Sequence, residues 1–309
     1  MVQPLPTLVS VTTGTLLEHT KVPLRTWLIV AWQLVQTKIG VSALSVQQMT
    51  AIDYRSAWTL LHKMRVAMDQ EGRERLSGEV EFDETYVGGR EERYAGRSTL
   101  NKEPVAIACE RRSDRAIGRI RMARLPDASA LAIADFLEHN VEPGSVLLSD
   151  DWTSYEAAFE LLAGRGLRYE HSATTLSRNA AKAHVVLPHV HRVASLLKRW
   201  LLGTHQGSVD GRYLDAYLDE FVFRFNRRHS LNRGLVFWRL VCALLETRPV
   251  TRDELAQRRT DQQAADTAHA AELGTWRREW ARAKDRERYR RRVEAAGGTV
   301  HPYRPKGRT

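Results

Sequence analysis

The spacing of apolar residues changes from a helical repeat to a strict alternation near residue 80, and this change constrains the fold more than any other feature. Between Tyr54 and Met68 the apolar residues recur at helical spacing. Val80, Phe82 and Tyr86 instead alternate with polar residues, and Gly88-Gly89 ends the alternation. A helix followed by a strand of a half-buried sheet is therefore predicted at this point of the chain.

The order of the segments that follow predicts an α/β domain with a mixed sheet flanked by helices. Strands are predicted over Pro104–Cys109, Ala116–Met122, Val146–Leu148 and Leu167–Glu170. Helices are predicted from Asp127, as its N-cap, to Asn140, over Trp152–Leu162, from Pro188 to Leu202 and from Tyr213 to Asn226. Three consecutive strands followed by helix–strand–helix–strand is the order of a ribonuclease-H-like fold.

The first 75 residues predict a helical segment with a helix-turn-helix-like layout. A helix over Ser42–Thr50 is separated by a short break, Ala51–Asp53, from a second helix that starts at Tyr54. The second helix of such a pair can lie in a DNA major groove, but many packed helical pairs share the outline without contacting DNA. The candidate DNA contacts in this segment are Arg55 and Lys63. The polar stretch Asp69–Gly78 is interpreted as a linker.

Positive charge is concentrated near the C-terminal end of the chain. The sequence has 47 Lys and Arg against 37 Asp and Glu, a formal net charge of +10, and residues 276–309 contribute +8 with 12 basic and four acidic residues. Aromatic residues interleaved with this charge suit a polyphosphate backbone, whereas a solvated helix is the alternative interpretation. The candidate DNA contacts are Arg290, Arg291 and Arg292. The predicted domains are thus 1–75, 76–246 and a basic helical tail, 247–309.

Composition excludes several classes of protein. Hydrophobic residues make up 43% and charged residues 27%, which argues against a disordered polyelectrolyte and against a membrane protein. The best apolar run, Trp27–Val35, is far shorter than the roughly 20 residues of a bilayer span. No secretory leader is recognisable, so a cytosolic protein is expected. Cys109 and Cys242 lack CxxC partners, which excludes a disulfide framework and a cysteine zinc site and predicts two buried free thiols.

Two carboxylates are placed where chemistry could occur. Asp83 lies in the middle of a predicted strand, and Asp150 follows the strand Val146–Leu148. Carboxylates that converge at one edge of a sheet suit Mg²⁺. Two such ions about 4 Å apart can activate the oxygen that attacks a phosphodiester and stabilise the oxygen that leaves it. The alternative for Asp83 is an exposed acid on the strand surface, and the alternative for Asp150 is a helix N-cap or a turn residue. Glu84 and Asp151, which directly follow these residues, could be the site carboxylates instead, because periodicity alone does not identify the face of the strand that carries the site.

Several ordered motifs resemble the ISXO-like group of bacterial insertion-sequence transposases, which belong to the DDE superfamily. The segment Glu81–Gly89 resembles the first-aspartate motif, and Ser149-Asp150-Asp151-Trp152 resembles the second. Blocks similar to the end of the family's catalytic domain lie at Ser195–Arg199, Leu202–His205, Tyr217–Phe221 and Phe225–Arg228. Segments similar to the region before that domain lie at Gly14–Trp27 and Ala57–Arg65. The resemblance extends from about residue 10 to about residue 240.

The resemblance implies a transposase that cleaves DNA at the element's ends and transfers the 3′ hydroxyl to target DNA. Asp83 and Asp150 would hold two Mg²⁺ (or Mn²⁺) ions, and Lys198 would position a phosphate. The family's third ligand, Glu or Asn, stands seven residues before this Lys, where this chain has His191. An imidazole suits Mn²⁺ or softer metals better than Mg²⁺. Arg199, Arg227 and Arg228 are the candidate DNA contacts in this part of the chain.

Further expectations concern the oligomeric state and location of the protein, a zinc site, and two other possible functions. A homodimer or higher oligomer on DNA is expected, in the cytoplasm with the nucleoid, and with no membrane partner. Family members commonly begin with a cysteine-rich zinc ribbon, but no residue before Gly14 could bind zinc, so no zinc site is expected. Two other functions remain open at this point: a DNA-binding protein with an inactive catalytic fold, and a metal-dependent nuclease that does not join strands.

Overall fold

The computed structural model describes residues 10–69, 73–88, 102–150, 153–174, 187–207 and 210–295. Contacts divide the chain into two compact units, Met1–Arg259 and Thr260–Thr309. The three-domain division remains a prediction. Gly89, the rival carboxylate Asp151, Trp152 and the part of the basic tail after Ala295 lie outside the described residues.

The N-terminal part of the chain is helical, as predicted. Its helices are α1 (Leu24–Gln36), α2 (Ala43–Thr50) and α3 (Tyr54–Met68). Ala51 adopts the left-handed conformation that ends α2, with φ of 57°. The carboxylate of Asp53 then caps α3 by accepting the backbone N–H of Ser56. The structure therefore has the helix-turn-helix layout at the predicted boundaries, and its contact with DNA stays a prediction.

A five-stranded mixed sheet forms the centre of the first unit within the described residues. Its strands are β1 (Glu79–Gly88), β2 (Lys102–Ser113), β3 (Ala116–Arg124), β4 (Val146–Asp150) and β5 (Glu170–Thr174), in the order β3-β2-β1-β4-β5. The first three strands pair antiparallel, whereas β4 pairs parallel with both β1 and β5. The helices α4 (Ala130–Asn140) and α5 (Thr153–Gly164) connect the parallel strands. This topology is ribonuclease-H-like, which confirms the predicted fold class.

Three local predictions were wrong. The N-cap of α4 is Ser129, whose hydroxyl accepts the N–H of Ala132, while Asp127 accepts the N–H of Ser129 one step earlier. Strand β5 begins at Glu170, where the predicted strand ended, because Leu167 instead closes the end of α5 with a hydrogen bond to the carbonyl of Leu162. The predicted linker, Asp69–Gly78, is packed against the domain at its end: Leu76 is buried, and its backbone forms hydrogen bonds with the end of α4 and the residues after it.

Helices cover both faces of the sheet. On one face the ring of Phe82 contacts Phe136 of α4 and Tyr155 of α5. On the other face lie α6 (Pro188–His205) and α7 (Leu214–Asn226), which follows a short 3₁₀ turn, Gly211–Tyr213. Apolar residues of these two helices form one core with β2, which also contains the buried, free Cys109. The apolar stripe of α7, which includes Leu218 and Phe221, is buried.

A second core joins the N-terminal helices to a late segment of the chain. Leu34, Leu61 and Met64 share this core with Leu240 and Leu244 of α8 (Arg233–Glu246). Cys242 of α8 is also a free thiol, but it is half-buried at the helix surface, so the prediction that both thiols are buried was wrong for this residue. The last helix is α9 (Arg252–Ala295). Within the described residues, no helix combines the length and the apolar character needed to cross a membrane.

Candidate active site

Strands β1 and β4 bring Asp83 and Asp150 together. The parallel register pairs Glu81 with Leu148, and continuing it by two residues places Asp83 opposite Asp150. Neighbouring strands lie about 4.8 Å apart, and residues at matching positions of parallel strands point to the same side of the sheet. The two carboxylates, 67 positions apart in the numbering, therefore share one face at the carboxyl ends of their strands.

Electrostatic coupling shows the same proximity. Burial, and after it the charge of Asp150, raises the pKa of Asp83 to about 7. Two groups act in the opposite direction: the backbone N–H of Glu84, which donates to Oδ1 of Asp83 at 2.9 Å, and the charge of Lys198. Like charges held this close cost free energy unless a cation balances them. Full ionisation of both carboxyl groups at these strand ends therefore requires a positive charge beside them.

Helix α6 carries His191 and Lys198 to this site. His191 Nδ1 lies 3.7 Å from Oδ2 of Asp83, and the two side chains are 32% and 22% exposed. Lys198 follows two turns later, at the surface, and its charge acts on Asp83. Partial burial and the charge of Lys102 lower the pKa of Lys198, while Asp83 opposes this shift. The other three predicted site residues, Asp150, His191 and Lys198, therefore all act on or lie close to Asp83.

A buried carboxylate fixes the start of α6 against β1. Glu81 Oε2 accepts the backbone N–H groups of His189 at 2.9 Å and Val190 at 3.0 Å. The other oxygen, Oε1, lies 2.5 Å from Nδ1 of His189. A carboxylate at a helix N-terminus is favourable because the first N–H groups of a helix lack partners within it. Glu81 precedes Asp83 by two residues on the same strand face, so this contact sets α6 relative to Asp83.

Sequence reasoning missed the pair of Glu81 and His189. The signal that could have found it is a second acidic residue in the middle of β1, two positions before Asp83 and between the buried Val80 and Phe82. A buried acid in that position requires a partner.

Glu84 lies on the opposite face of β1 from Asp83. Its Oε2 accepts a hydrogen bond of 2.6 Å from the hydroxyl of Tyr155 on α5. Burial raises the pKa of Glu84 to about 7, with the Tyr155 bond acting against it and the charges of Asp83 and Asp150 adding to it. Oε1 is buried with no hydrogen-bond partner in the described part of the chain. Between Asp83 and Glu84, Asp83 is the residue that faces α6, and Glu84 faces α5.

The donor set at this site fits a hard divalent cation in part. Asp83 and Asp150 supply the carboxylate oxygens that Mg²⁺ prefers, and their mutual repulsion is what a cation would relieve. His191 adds a nitrogen, which suits Mn²⁺ better. Within the described ranges, however, no three His, Cys, Asp or Glu side chains form a group that could hold a metal ion. The structure thus brings two oxygen donors together without a completed three-ligand set.

The predicted DNA contacts differ in the exposure of their side chains. Arg55 at the start of α3 and Arg199 on α6 are exposed, as are Arg290, Arg291 and Arg292 on α9 in the second unit. Lys63 is half-buried, and burial lowers its pKa while the charge of Glu254 acts in the opposite direction. These positions remain predictions for DNA binding.

Arg227 and Arg228 already make contacts within the chain. Their guanidinium groups lie 3.9 Å from the ring centroids of Phe223 and Phe225, respectively. Arg227 also bonds the carbonyl of Phe223 at 3.2 Å, and Arg228 bonds that of Phe225 at 2.9 Å. Both guanidinium groups therefore help to hold the end of α7 in place.

Comparison with known proteins gives one family match. Residues 75–226, which include all four residues of the candidate site, match the model of the ISXO2-like transposase domain. No curated protein matches the chain. Among solved structures, the catalytic core domain of BIV integrase matches at 18% identity with a TM-score of 0.32, over 53% of this chain and 95% of that one. The simian T-cell lymphotropic virus intasome, solved in complex with PP2A regulatory subunit B56 gamma, matches at 10% identity with a TM-score of 0.30, over 62% and 70%.

Proposed function

Residues 75–226 form an ISXO2-like transposase domain, and from that premise we propose that this chain is an insertion-sequence DNA transposase. The proposed reaction is divalent-metal-dependent cleavage at the element's ends, followed by transfer of the 3′ hydroxyl to target DNA. The observation that carries the proposal is that the adjacent parallel strands β1 and β4 end with Asp83 and Asp150 close enough for the charge of Asp150 to raise the pKa of Asp83. Joining two ends needs two protomers, so we also propose a dimer or higher oligomer on DNA.

Each site residue has a role that follows from its position. Asp83 and Asp150 would hold Mg²⁺ or Mn²⁺, which when bound activates the attacking oxygen and stabilises the leaving oxygen of a phosphodiester. Lys198 offers three N–H donors to a non-bridging phosphate oxygen near Asp83. His191, whose Nδ1 lies 3.7 Å from Oδ2 of Asp83, would be the third group, either as a ligand of the ion or as a hydrogen-bond partner of a water bound to it. The chemistry is phosphoryl transfer by positioning and charge neutralisation, without a covalent protein intermediate.

Substitution of Asp83 tests the site. Asp83→Asn keeps the side chain's shape but removes its charge, so metal-dependent strand cleavage should fall by more than about 100-fold. Cleavage is measured in Mg²⁺ and in Mn²⁺ on duplex DNA carrying the sequences that flank the reading frame. Glu79→Gln is the matched control, because this residue lies on the same strand with a side chain 54% exposed. DNA affinity should be unchanged in both variants, and cleavage by Asp83→Asn at the wild-type rate would exclude this assignment.

His191 is tested by two substitutions. His191→Ala should lose cleavage supported by Mn²⁺, because the third group beside Asp83 is gone. His191→Glu should cleave with Mg²⁺, because it supplies a hard oxygen donor at the same place on α6. Survival of Mn²⁺-supported activity in His191→Ala would mean that the third group lies elsewhere.

The same assays separate the other two functions. Intact DNA affinity without nicking by the wild-type chain in either metal would favour a DNA-binding protein with an inactive catalytic fold. Cleavage without joining, tested with pre-cleaved ends and a target duplex, would favour a nuclease.

A further inference from the structure

A cavity of about 630 Å³ lies between the end of α1 and helices α6, α7 and α8. Its walls include the aromatic side chains of Trp200, Phe221 and Phe225. The volume falls within the roughly 300–1,000 Å³ range of small-molecule sites. We call it the α6 cavity, because α6 contributes both Arg199 to its lining and the adjacent Lys198 to the active site.

The α6 cavity carries an excess of positive charge. Five cationic side chains line it, and no Asp or Glu is among its described lining residues. They are Lys38, Arg199, Arg224, Arg228 and Arg233. The nearest balancing charge is Glu220, which pairs with Arg224 at 3.3 Å but also with the buried Arg65 at 2.9 Å. One carboxylate thus serves two guanidinium groups, and the cavity is left complementary to an anion.

The cations are held in place before any ligand arrives. Arg224 Nη2 donates to the carbonyls of Thr37 and Lys38, each at 2.6 Å. Arg228 stacks on Phe225 and bonds the carbonyl of Gly118 at 3.3 Å. Both arginines stay charged, because a guanidinium is not deprotonated in proteins. Such preorganisation reduces the entropic cost of binding.

We propose that the α6 cavity binds one unpaired nucleotide of the DNA substrate, with its base against the aromatic wall and its phosphate beside the exposed Arg199. The proposal rests on the proposed function, which makes DNA strands the ligand of this chain. A cavity of this volume cannot admit a duplex, whereas a single base presents a flat face that stacks on aromatic rings. Arginine binds phosphate through paired N–H donors.

Gly203 allows the cavity to be filled without disturbing its charges. This residue lines the cavity within α6, and a Cβ added to it would meet no atom within 4 Å. Gly203→Leu therefore places a side chain where the base would lie. Gly164→Leu is the matched control: an added Cβ there also meets no atom, and this residue ends α5 outside the cavity.

The experiment measures the affinity of the full chain for three duplexes by fluorescence anisotropy at fixed salt. One duplex is blunt, one ends in a three-nucleotide overhang, and one has the same overhang without bases. The wild type and Gly164→Leu should bind the overhang with bases roughly tenfold more tightly than the overhang without bases. Gly203→Leu should lose this difference while keeping its affinity for the blunt duplex.

Each outcome decides between explanations. Equal binding of both overhangs by a wild-type chain that binds and cleaves the blunt duplex overturns the α6 cavity as a nucleotide site and leaves the proposed function intact. Failure of the wild type to bind any duplex overturns both. Deoxyadenosine monophosphate is added as a competitor in a parallel arm. Full displacement of the overhang effect at micromolar concentrations would assign the cavity to a free nucleotide and overturn the DNA proposal.

Discussion

Burial changes the chemistry of two histidines that are not part of the candidate active site, His62 and His205. His62 on α3 is 2% exposed, with its ring centroid 3.9 Å from that of Trp58. Burial lowers its pKa to about 2, and the charges of Arg65 and His205 act in the same direction. Burial likewise lowers the pKa of His205 to about 4. Both imidazoles are therefore neutral in the folded protein at physiological pH.

The titration of His62 predicts a loss of stability in mild acid. Its folded pKa lies below the value of 6.5 in the unfolded chain, so unfolding takes up a proton and stability is lost as the pH falls below 6.5. Between pH 7 and pH 5 this residue should remove about 2 kcal/mol from the free energy of unfolding. His62→Phe keeps an aromatic ring but cannot titrate. The difference in unfolding free energy between wild type and variant, measured in urea, should fall by that amount; a constant difference would contradict the buried neutral state.

For single residues, the local sequence pattern predicted the two site carboxylates but not the long-range contacts of other buried charged residues. Asp83 and Asp150 could be selected because each is an acid at a strand position where acids are costly or where ligands gather. The contacts of Glu81 with His189 and of Arg65 with Glu220 could not be predicted. Their partners are 108 and 155 positions apart, and only the packed fold brings them within 3 Å. The choice between Asp83 and Glu84 also required the fold, because strand alternation does not name the buried face.

Among the elements, α6 matters most for the proposed chemistry because it presents His191 and Lys198 to the sheet. Its apolar face packs into the core through Val193 and Leu197, which sets its rotation. Glu81 sets its position along β1 through three polar contacts at its first turn. Packing alone tolerates small slides of a helix, whereas hydrogen bonds to specific N–H groups do not.

Loss of the Glu81 charge should therefore impair catalysis more than DNA binding. Glu81→Gln retains an oxygen that accepts N–H groups of α6 but loses the charged contact with His189, at a cost of about 1–3 kcal/mol in unfolding free energy. The single-turnover cleavage rate should fall about tenfold, while the DNA dissociation constant stays unchanged. Glu79→Gln, on the same strand and exposed, is the control. Equal losses of rate and affinity would indicate a general structural role instead.

Helices with clear stripes were predicted closely, and short strands less well. Helix α7 lies within one residue of its predicted bounds and its apolar residues Leu218 and Phe221 are buried, and α3 has the predicted bounds. For β5 the pattern was misleading, because Leu167 is an apolar residue that closes the preceding helix rather than starting a strand. A segment of five residues carries too little periodicity to separate these two cases.

For the whole molecule, charge is distributed unevenly between the two compact units. The exposed arginines of α9 include Arg290, Arg291 and Arg292 in the second unit. Arg291 pairs with Glu287 at 2.5 Å on the helix surface, an exposed ion pair of low expected strength. These arginines are thus available to phosphates, and their contribution to DNA binding should depend strongly on salt.

Replacement of the three arginines tests this contribution. The triple variant Arg290→Gln, Arg291→Gln, Arg292→Gln should lower the slope of log affinity against log salt by about 2 to 3, because each phosphate contact releases a counterion. The matched control replaces three exposed arginines of the first unit, Arg112, Arg115 and Arg168, with Gln. Filter binding between 50 and 300 mM KCl measures both. Identical slopes for the triple variant and wild type would mean that α9 contributes no phosphate contacts.

The core shared by α1, α3 and α8 has a consequence for synthesis on the ribosome. The early helices are translated by residue 68, but the apolar residues of α8 that cover them follow only from residue 233. At a translation rate of about 5–20 residues per second, the apolar surface of these helices stays exposed on the nascent chain for roughly 10–30 s. The central sheet, whose strands all emerge in between, has time to assemble first. The N-terminal helices must then wait for a segment made much later, which makes this stretch of the nascent chain a substrate for chaperones that hold exposed apolar segments.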